Sequence, residues 1–231
     1  MSDRADKSER LRRGIEALPA IERVRAAAGD RALYLVGGAV RDILLGRSTS
    51  DLDFVVEGDS GDAAAIAERI APGHVAHEQF GTASVDLDGV RIDIAMARTE
   101  TYPSPGALPE VHPATLAEDL GRRDFTINAM AVALDGAGEL IDPHGGEADL
   151  EAGLLRVLHE RSFIDDPTRA LRAARYAARF GFSLDPGTER LLRAADLGAV
   201  SRYRLDAEMG RLEAEEDAGV ALELARSWGL A

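Results

Sequence analysis

The chain has 231 residues, 45% hydrophobic and 29% charged, with no cysteine and a formal net charge of −14. That is enough for one large or two small soluble globular domains; it excludes disulfides and cysteine-built zinc sites, and the acidic balance speaks against a broad nucleic-acid footprint. The charge is uneven, because residues 156–204 hold 10 arginines against 6 acids, a local +4 that leaves −18 elsewhere and offers a phosphate-binding patch.

Residues 1–30 are charged throughout, without the apolar stretch of a signal peptide. No run approaches about 20 apolar residues, so no membrane span is expected. Together with the absence of cysteine, this points to a reducing cytoplasm. Residues 1–30 read as one polar helix with Leu11, Ile15, Leu18 and Ile21 on its apolar side. A strand over 32–36 is followed by a helix over 39–45 that Gly46 stops, and a second strand over 52–56. An alanine-rich helix over 62–71 ends at Pro72-Gly73, and two strands at 82–87 and 90–95 flank the turn Asp88-Gly89. Residues 101–113, with four prolines and a glycine, read as a loop, and residues 125–134 return to the core. From Glu147 onward strands fade, and helices are expected at 167–180, 186–195, 202–215 and 216–228. The domain division expected is 1–150 and 151–231, the second part ending without neighbours for its last helices, as a fragment or a short form would.

The first group of chemistry-bearing residues lies in VGGAVRDILLGRSTSDLDFVV. Side chains two apart on a strand point the same way, so Asp51 and Asp53 project together, away from Leu52 and Phe54. Paired carboxylates repel unless a cation lies between them, and Mg²⁺ is held by one or two carboxylates plus substrate phosphates. Gly37-Gly38, between a strand and a helix, suits a phosphate. Asp93 in the apolar run VRIDIAM is a third acid that needs a reason to be there. A solvent-edge Asp-Leu-Asp strand is the competing structural account.

The second group is LGRRDFTINAMAV. Arginine is the preferred bidentate partner for phosphate, a carboxylate accepts from a ribose hydroxyl, and a helix would place Asp124 and Asn128 on one face. A surface Arg-Arg-Asp turn capped by Asn128 accounts for it equally well. The third group is FIDDPTRALRAARYAARF. Asp166 suits an N-cap before Pro167 at the first helical position. Arg169, Arg172, Arg175 and Arg179 fall within an arc of roughly 120°, opposite Ala170, Ala173, Ala177 and Phe180. An amphipathic helix with a solvated arginine face would look the same.

Gly-Gly, Asp-x-Asp and a later strand acid, in that order, resemble the polymerase-β-type nucleotidyltransferase superfamily. LVGGAVRDILLG with SDLDFVV is similar to the class II tRNA nucleotidyltransferase and bacterial poly(A) polymerase family, over roughly residues 33–229. The resemblance implies an α+β fold, a polymerase-β-like head with a mixed sheet over 1–150, followed by an all-α neck over 151–231 that binds nucleobase and RNA. It implies template-independent transfer of C, A or both from CTP and ATP to a tRNA 3' end, by two-metal attack of the 3'-hydroxyl on the α-phosphate. Asp51, Asp53 and Asp93 would be catalytic and bind Mg²⁺, with Asp93 helping to deprotonate the hydroxyl. Gly37, Gly38 and Arg41 match the family's GGxVRD, and Arg41 would contact phosphate. Arg123, Asp124 and Asn128 match RRDxxxNA, which assigns Arg123 and Asn128 to phosphate and Asp124 to ribose. Asp165, Asp166 and Arg169 match EDxxR, the base-selecting motif, with Asp165 one methylene shorter than the family's Glu; Arg172, one turn on, joins the nucleotide-binding set. Residues 101–113 correspond to the family's flexible loop, tied to the switch from C to A addition. A poly(A) polymerase on the same scaffold and a non-catalytic nucleotide- or RNA-binding remnant are the other readings.

Overall fold

Among the described residues, seven apolar runs assemble into one mixed sheet. The computed structural model describes residues 2–49, 51–77, 80–134 and 138–230. The chain divides into two units, the first made of residues 1–99, 111–123 and 128–144, the second of residues 100–110, 124–127 and 145–231.

The first unit holds helices α1 (Ser2–Glu16), α2 (Ile21–Ala28), α3 (Gly38–Leu44), α4 (Asp62–Ile70) and α5 (Leu116–Gly121). Its sheet uses β1 (Leu33–Val36), β2 (Asp51–Val56), β3 (Val75–His77), β4 (Thr82–Leu87) and β5 (Val90–Met96), and, past β6 (Arg98–Thr101) and β7 (Glu110–Pro113), β8 (Ala131–Ala133) and β9 (Leu140–Ile141). The order is β3-β4-β5-β2-β1-β8-β9, while β6 and β7 form a separate two-stranded sheet. The β2–β5 pair is parallel and the other assigned pairs of the sheet are antiparallel. A parallel pair needs a crossover, and α4 lies in it. Ala63, Ile66, Ala67 and Ile70 of α4, spaced i, i+3, i+4 and i+7, are buried.

The single helix expected over 1–30 is two. Pro19 lacks the N–H that would continue the ladder, and Ala20 takes a left-handed φ of 63° before α2 starts. The loop expected over 101–113 is bounded by β6 and β7, so its ends are paired rather than free.

The second unit holds α6 (Gly146–Ala152), α7 (Ser162–Asp165), α8 (Thr168–Phe180), α9 (Pro186–Leu192), α10 (Arg202–Glu213) and α11 (Ala218–Ser227), with two-residue strands β10 (Leu154–Leu155) and β11 (Ser183–Leu184) paired in parallel. The four helices expected here form, the second and third two or three residues shorter at their C-terminal ends and the last starting two residues later and ending one earlier. The chain is thus α+β, with a mixed sheet followed by a helical part. Ala174, Leu212, Ala221 and Ala225 join α8, α10 and α11 in a small core. The arginine arc of α8 is not a solvated face: Arg175 pairs with Glu208 and Glu215, both at 3.3 Å, and Arg179 donates to Glu215. Burying α8 against α10 and α11 would strand those charges without the glutamates.

Candidate active site

β1 runs into Gly37, whose φ of 65° and ψ of −124° suit a residue without a Cβ. An added Cβ would stand 2.8 Å from Nη1 of Arg123. The helix after this turn has seven residues, so its dipole is a small part of any phosphate field. Arg41, on that helix, is buried; its Nε donates to Oδ1 of Asp42 at 2.9 Å and its Nη1 to Oδ1 of Asn128 at 2.6 Å.

β2 alternates as its sequence reads: Leu52 and Phe54 are buried while Asp51 and Asp53 face outward. In the β2–β5 pair Asp53 lies in register with Asp93, so all three acids sit on adjacent strands. Asp53 is exposed, with Arg123, Asp93, Asp51 and Arg91 near enough to act on its charge. Lost hydration pushes its pKa up, Arg123 pulls it down, and Asp93 and Asp51 push it up again. Asp93 accepts from Arg91 Nε at 2.8 Å on one oxygen and from Ser84 Oγ on the other. Ser84 stands directly across the β4–β5 ladder.

Whether these acids suit a divalent cation is a question of donors and charge. The donors are all carboxylate oxygens, which hard cations prefer, and Asp93 and Asp51 add their repulsion to the lost hydration that raises the pKa of Asp53. As placed, among the described residues no three acidic or histidine side chains converge to hold a metal ion. Asp93 turns to Arg91 and Ser84, leaving Asp51 and Asp53 as the pair best disposed to share a cation with a substrate's phosphates.

The segment 122–128 departs from the helix that would put Asp124 and Asn128 on one face. Phe125 is fully buried and bridges to Val157, and only Thr126–Asn128 makes a single 3₁₀ turn. The break separates the motif: Arg123 and Asn128 belong to the first unit, Asp124 to the second. In the first unit, Arg123 donates from Nη1 to the carbonyl of Asn128 at 3.4 Å. In the second, Asp124 is buried, accepting from Arg172 Nε at 2.8 Å and Nη2 at 2.6 Å on Oδ2, and from the N–H of Phe125 at 2.8 Å on Oδ1. Both oxygens expected to serve a ribose therefore hold structure, and Asp124 keeps Arg172 charged by raising its pKa against the opposing effect of burial.

Elsewhere in the second unit, Asp165 pairs with Arg161 at 2.8 Å, and Arg169 donates from Nη1 to Ser162 Oγ at 2.8 Å. The helix begins at Thr168, with Pro167 at its cap position. Asp166 still caps: its Oδ1 accepts from the N–H of Thr168 at 3.1 Å, from Thr168 Oγ1 at 2.6 Å and from Arg204 Nη2 at 2.9 Å. Arg204 also donates to the carbonyl of Gly106 at 2.7 Å, whose N–H reaches the carbonyl of Ile164 at 3.3 Å. The middle of the proline-rich segment is thereby anchored.

Sequence reasoning missed Asp119, Ser84 and Arg204. Ser84 had no signal apart from the hairpin register, and Arg204 none at all. Asp119 had one: it precedes Arg122 and Arg123 by three and four residues, the spacing of helical ion pairs.

Residues 33–156 match the poly A polymerase head domain family. An A-adding tRNA nucleotidyltransferase of Aquifex aeolicus is 50% identical over 186 residues, covering 78% of this chain and 22% of that protein. A CC-adding tRNA nucleotidyltransferase of Deinococcus radiodurans is 46% identical over 213 residues, 89% of this chain and 56% of that one. The Thermotoga maritima CCA-adding enzyme, solved with tRNA_CCA, superposes with a TM-score of 0.79 at 38% identity, over 94% of this chain and 53% of its own. The chain thus spans from under a quarter to just over half of these relatives. The family match covers more than half of the 231 residues and takes in the glycine turn and all three strand acids, and the chain belongs to the poly A polymerase head domain family.

Proposed function

We propose that the chain is the catalytic part of a template-independent nucleotidyltransferase that adds C, A or both to the 3' end of tRNA in the cytoplasm. The observation that carries this reading is the register of Asp53 beside Asp93, in the unit where Arg123 stands over the Gly37 turn. The nucleotidyltransferase head takes residues 1–150 and the base- and RNA-binding neck 151–231.

ATP and CTP are the nucleotide substrates. Their triphosphate lies along Gly37 and Gly38, against Arg123 and the Arg41–Asn128 pair. Mg²⁺ held by Asp51 and Asp53 would neutralise charge on the triphosphate and on the departing pyrophosphate. Asp93 exchanges Arg91 for the 3'-hydroxyl, takes its proton and completes the acidic site. The 3' oxygen bonds to the α-phosphorus, and the bond to the bridging oxygen of pyrophosphate breaks.

Base choice falls to the second unit. Oδ2 of Asp166 accepts from the exocyclic amine that C and A share, and Arg169 donates to the adjacent ring acceptor. Thr168 and Arg204 hold Asp166 in place and Ser162 holds Arg169, while Asp165 and Arg172 complete the nucleotide-binding set.

The test uses the 231-residue chain, Mg²⁺ and three labelled tRNAs ending before CCA, after C and after CC, each with one nucleotide at a time. Extension with CTP and ATP alone, lost in Asp51→Ala/Asp53→Ala, is the expected result, and the tRNA extended identifies the step. A long A-only tract would assign the poly(A) polymerase reading that the family name carries. Nucleotide binding without extension would mean that RNA is held by parts the longer relatives possess.

A further inference from the structure

Asp119, on α5, is fully buried in the first unit and lies outside the nucleotide-binding motifs. Its Oδ1 accepts from Arg122 Nη2 at 2.6 Å, from Arg122 Nε at 3.0 Å and from the N–H of Arg98 at 3.3 Å. Its Oδ2 accepts from Arg123 Nη2 at 2.9 Å and Nε at 3.3 Å. One carboxylate thus takes the Nε–Nη2 edge of two guanidiniums. The other edge of Arg123 carries Nη1, which donates to the carbonyl of Asn128 at 3.4 Å and is the atom 2.8 Å from where a Gly37 Cβ would be. A capping box at Thr115 and Glu118 fixes the start of the short helix that carries Asp119.

We propose that Asp119 is a positioning residue for nucleotide binding: it clamps one edge of Arg123 so that Nη1 faces the glycine turn and meets the triphosphate without first being ordered. An arginine side chain loses rotamer freedom when it is held. Asp119 imposes that loss during folding, so phosphate binding does not bear it. The second guanidinium has a separate purpose. Asp119 with Arg122 alone is neutral, so Arg123 keeps its full positive charge for the anion.

The inference rests on the reading of Arg123 as a phosphate ligand, and it predicts against simple electrostatics. Removing the negative charge of Asp119 makes the site more positive, which by itself tightens triphosphate binding. Loss of the clamp weakens it.

The experiment is calorimetric titration of the whole chain with CTP and Mg²⁺, well below the melting temperature of each variant. Arg123→Ala and Asp119→Asn are each expected to weaken binding about tenfold or more. The double variant is expected to be no weaker than the worse single, since both remove the same contact. Unchanged or tighter binding by Asp119→Asn, with Arg123→Ala weakened, overturns the inference and leaves the functional reading standing. Additive losses overturn it as well, because Asp119 then acts elsewhere. Unchanged binding by Arg123→Ala removes the reading of Arg123 and the inference with it. Should Asp119→Asn not fold, Arg123→Lys asks the same question: it keeps the charge but not the planar edge. Binding as weak as that of Arg123→Ala supports the clamp, and wild-type binding overturns it.

Discussion

Arg41 donates from Nη1 to Oδ1 of Asn128 at 2.6 Å, between two buried side chains 87 residues apart. The bond ties the helix after the glycine turn to the 3₁₀ turn ahead of β8. Replacing Asn128 with Leu leaves the guanidinium with one partner fewer in a buried place. The expected loss is about 1.5–3 kcal/mol, read by urea denaturation, with nucleotide affinity falling in the same variant.

Gly37 is under two constraints at once, its φ of 65° and the nearness of Arg123. Gly37→Ala is expected to cost about 1–3 kcal/mol from backbone strain. It should also displace Nη1 of Arg123, so affinity for MgCTP drops further than stability explains. Titration of the folded variant at low temperature separates the two effects.

Asp53 bears on pH and metal together. Its pKa is raised, chiefly by burial and then by Asp93 and Asp51 against Arg123, so the folded protein holds its proton more tightly than the unfolded chain does. Stability from this group is therefore lost as pH rises from the ordinary value of 3.8 through the raised one, and at neutral pH its ionisation works against the fold. Asp53→Asn is expected to be more stable than wild type at pH 7, with the gain vanishing below about pH 3.8. Added Mg²⁺ should stabilise wild type and leave the variant nearly unchanged. Denaturation curves from pH 3 to 8, with and without the ion, check both.

In the second unit, Asp124 binds Arg172 through a single oxygen at 2.6 and 2.8 Å. Arg172 is partly exposed, so Asp124→Asn should cost about 2–3 kcal/mol, less than a fully buried pair. Thermal melts would show it, and the loss should shrink on adding Arg172→Met, which removes the stranded charge.

Glu215 gives an acid limit to the same unit. Burial disfavours its charge, but Arg179 and Arg175 outweigh that and hold its pKa below the usual value of 4.5. Its contribution is present above pH 4.5 and is lost as pH falls through the depressed value. Glu215→Gln should lower stability at neutral pH and flatten the acid side of the stability curve.

The strands and helices that bear the site were legible because their periods are local. Leu52 and Phe54 alternate with Asp51 and Asp53, and the alanines of α8 recur with the helical turn. Which strands pair was not, since the meeting of Asp53 with Asp93 depends on a crossover that no window of sequence contains. The segment 122–128 misled for a related reason. Its spacing suits a helix, but burying Phe125 and bridging its backbone to Val157 outweigh the local preference, and the motif divides between two units. Charge was read least well, because arginines that look solvated along one helix meet glutamates forty and thirty-six positions later.

The parallel β2–β5 pair also bears on how the molecule acquires its shape. Residues 51–56 must wait for residues 91–96, with a helix and two strands made in between, and such distant pairings form slowly. Side by side, the charges of Asp53 and Asp93 oppose the closing of this pair, while Leu52, Phe54, Ile92 and Ile94 beneath them drive it. The refolding rate of the head should therefore carry the imprint of its own chemistry, rising in mild acid and with divalent salt, and rising without either once Asp53 or Asp93 is made neutral.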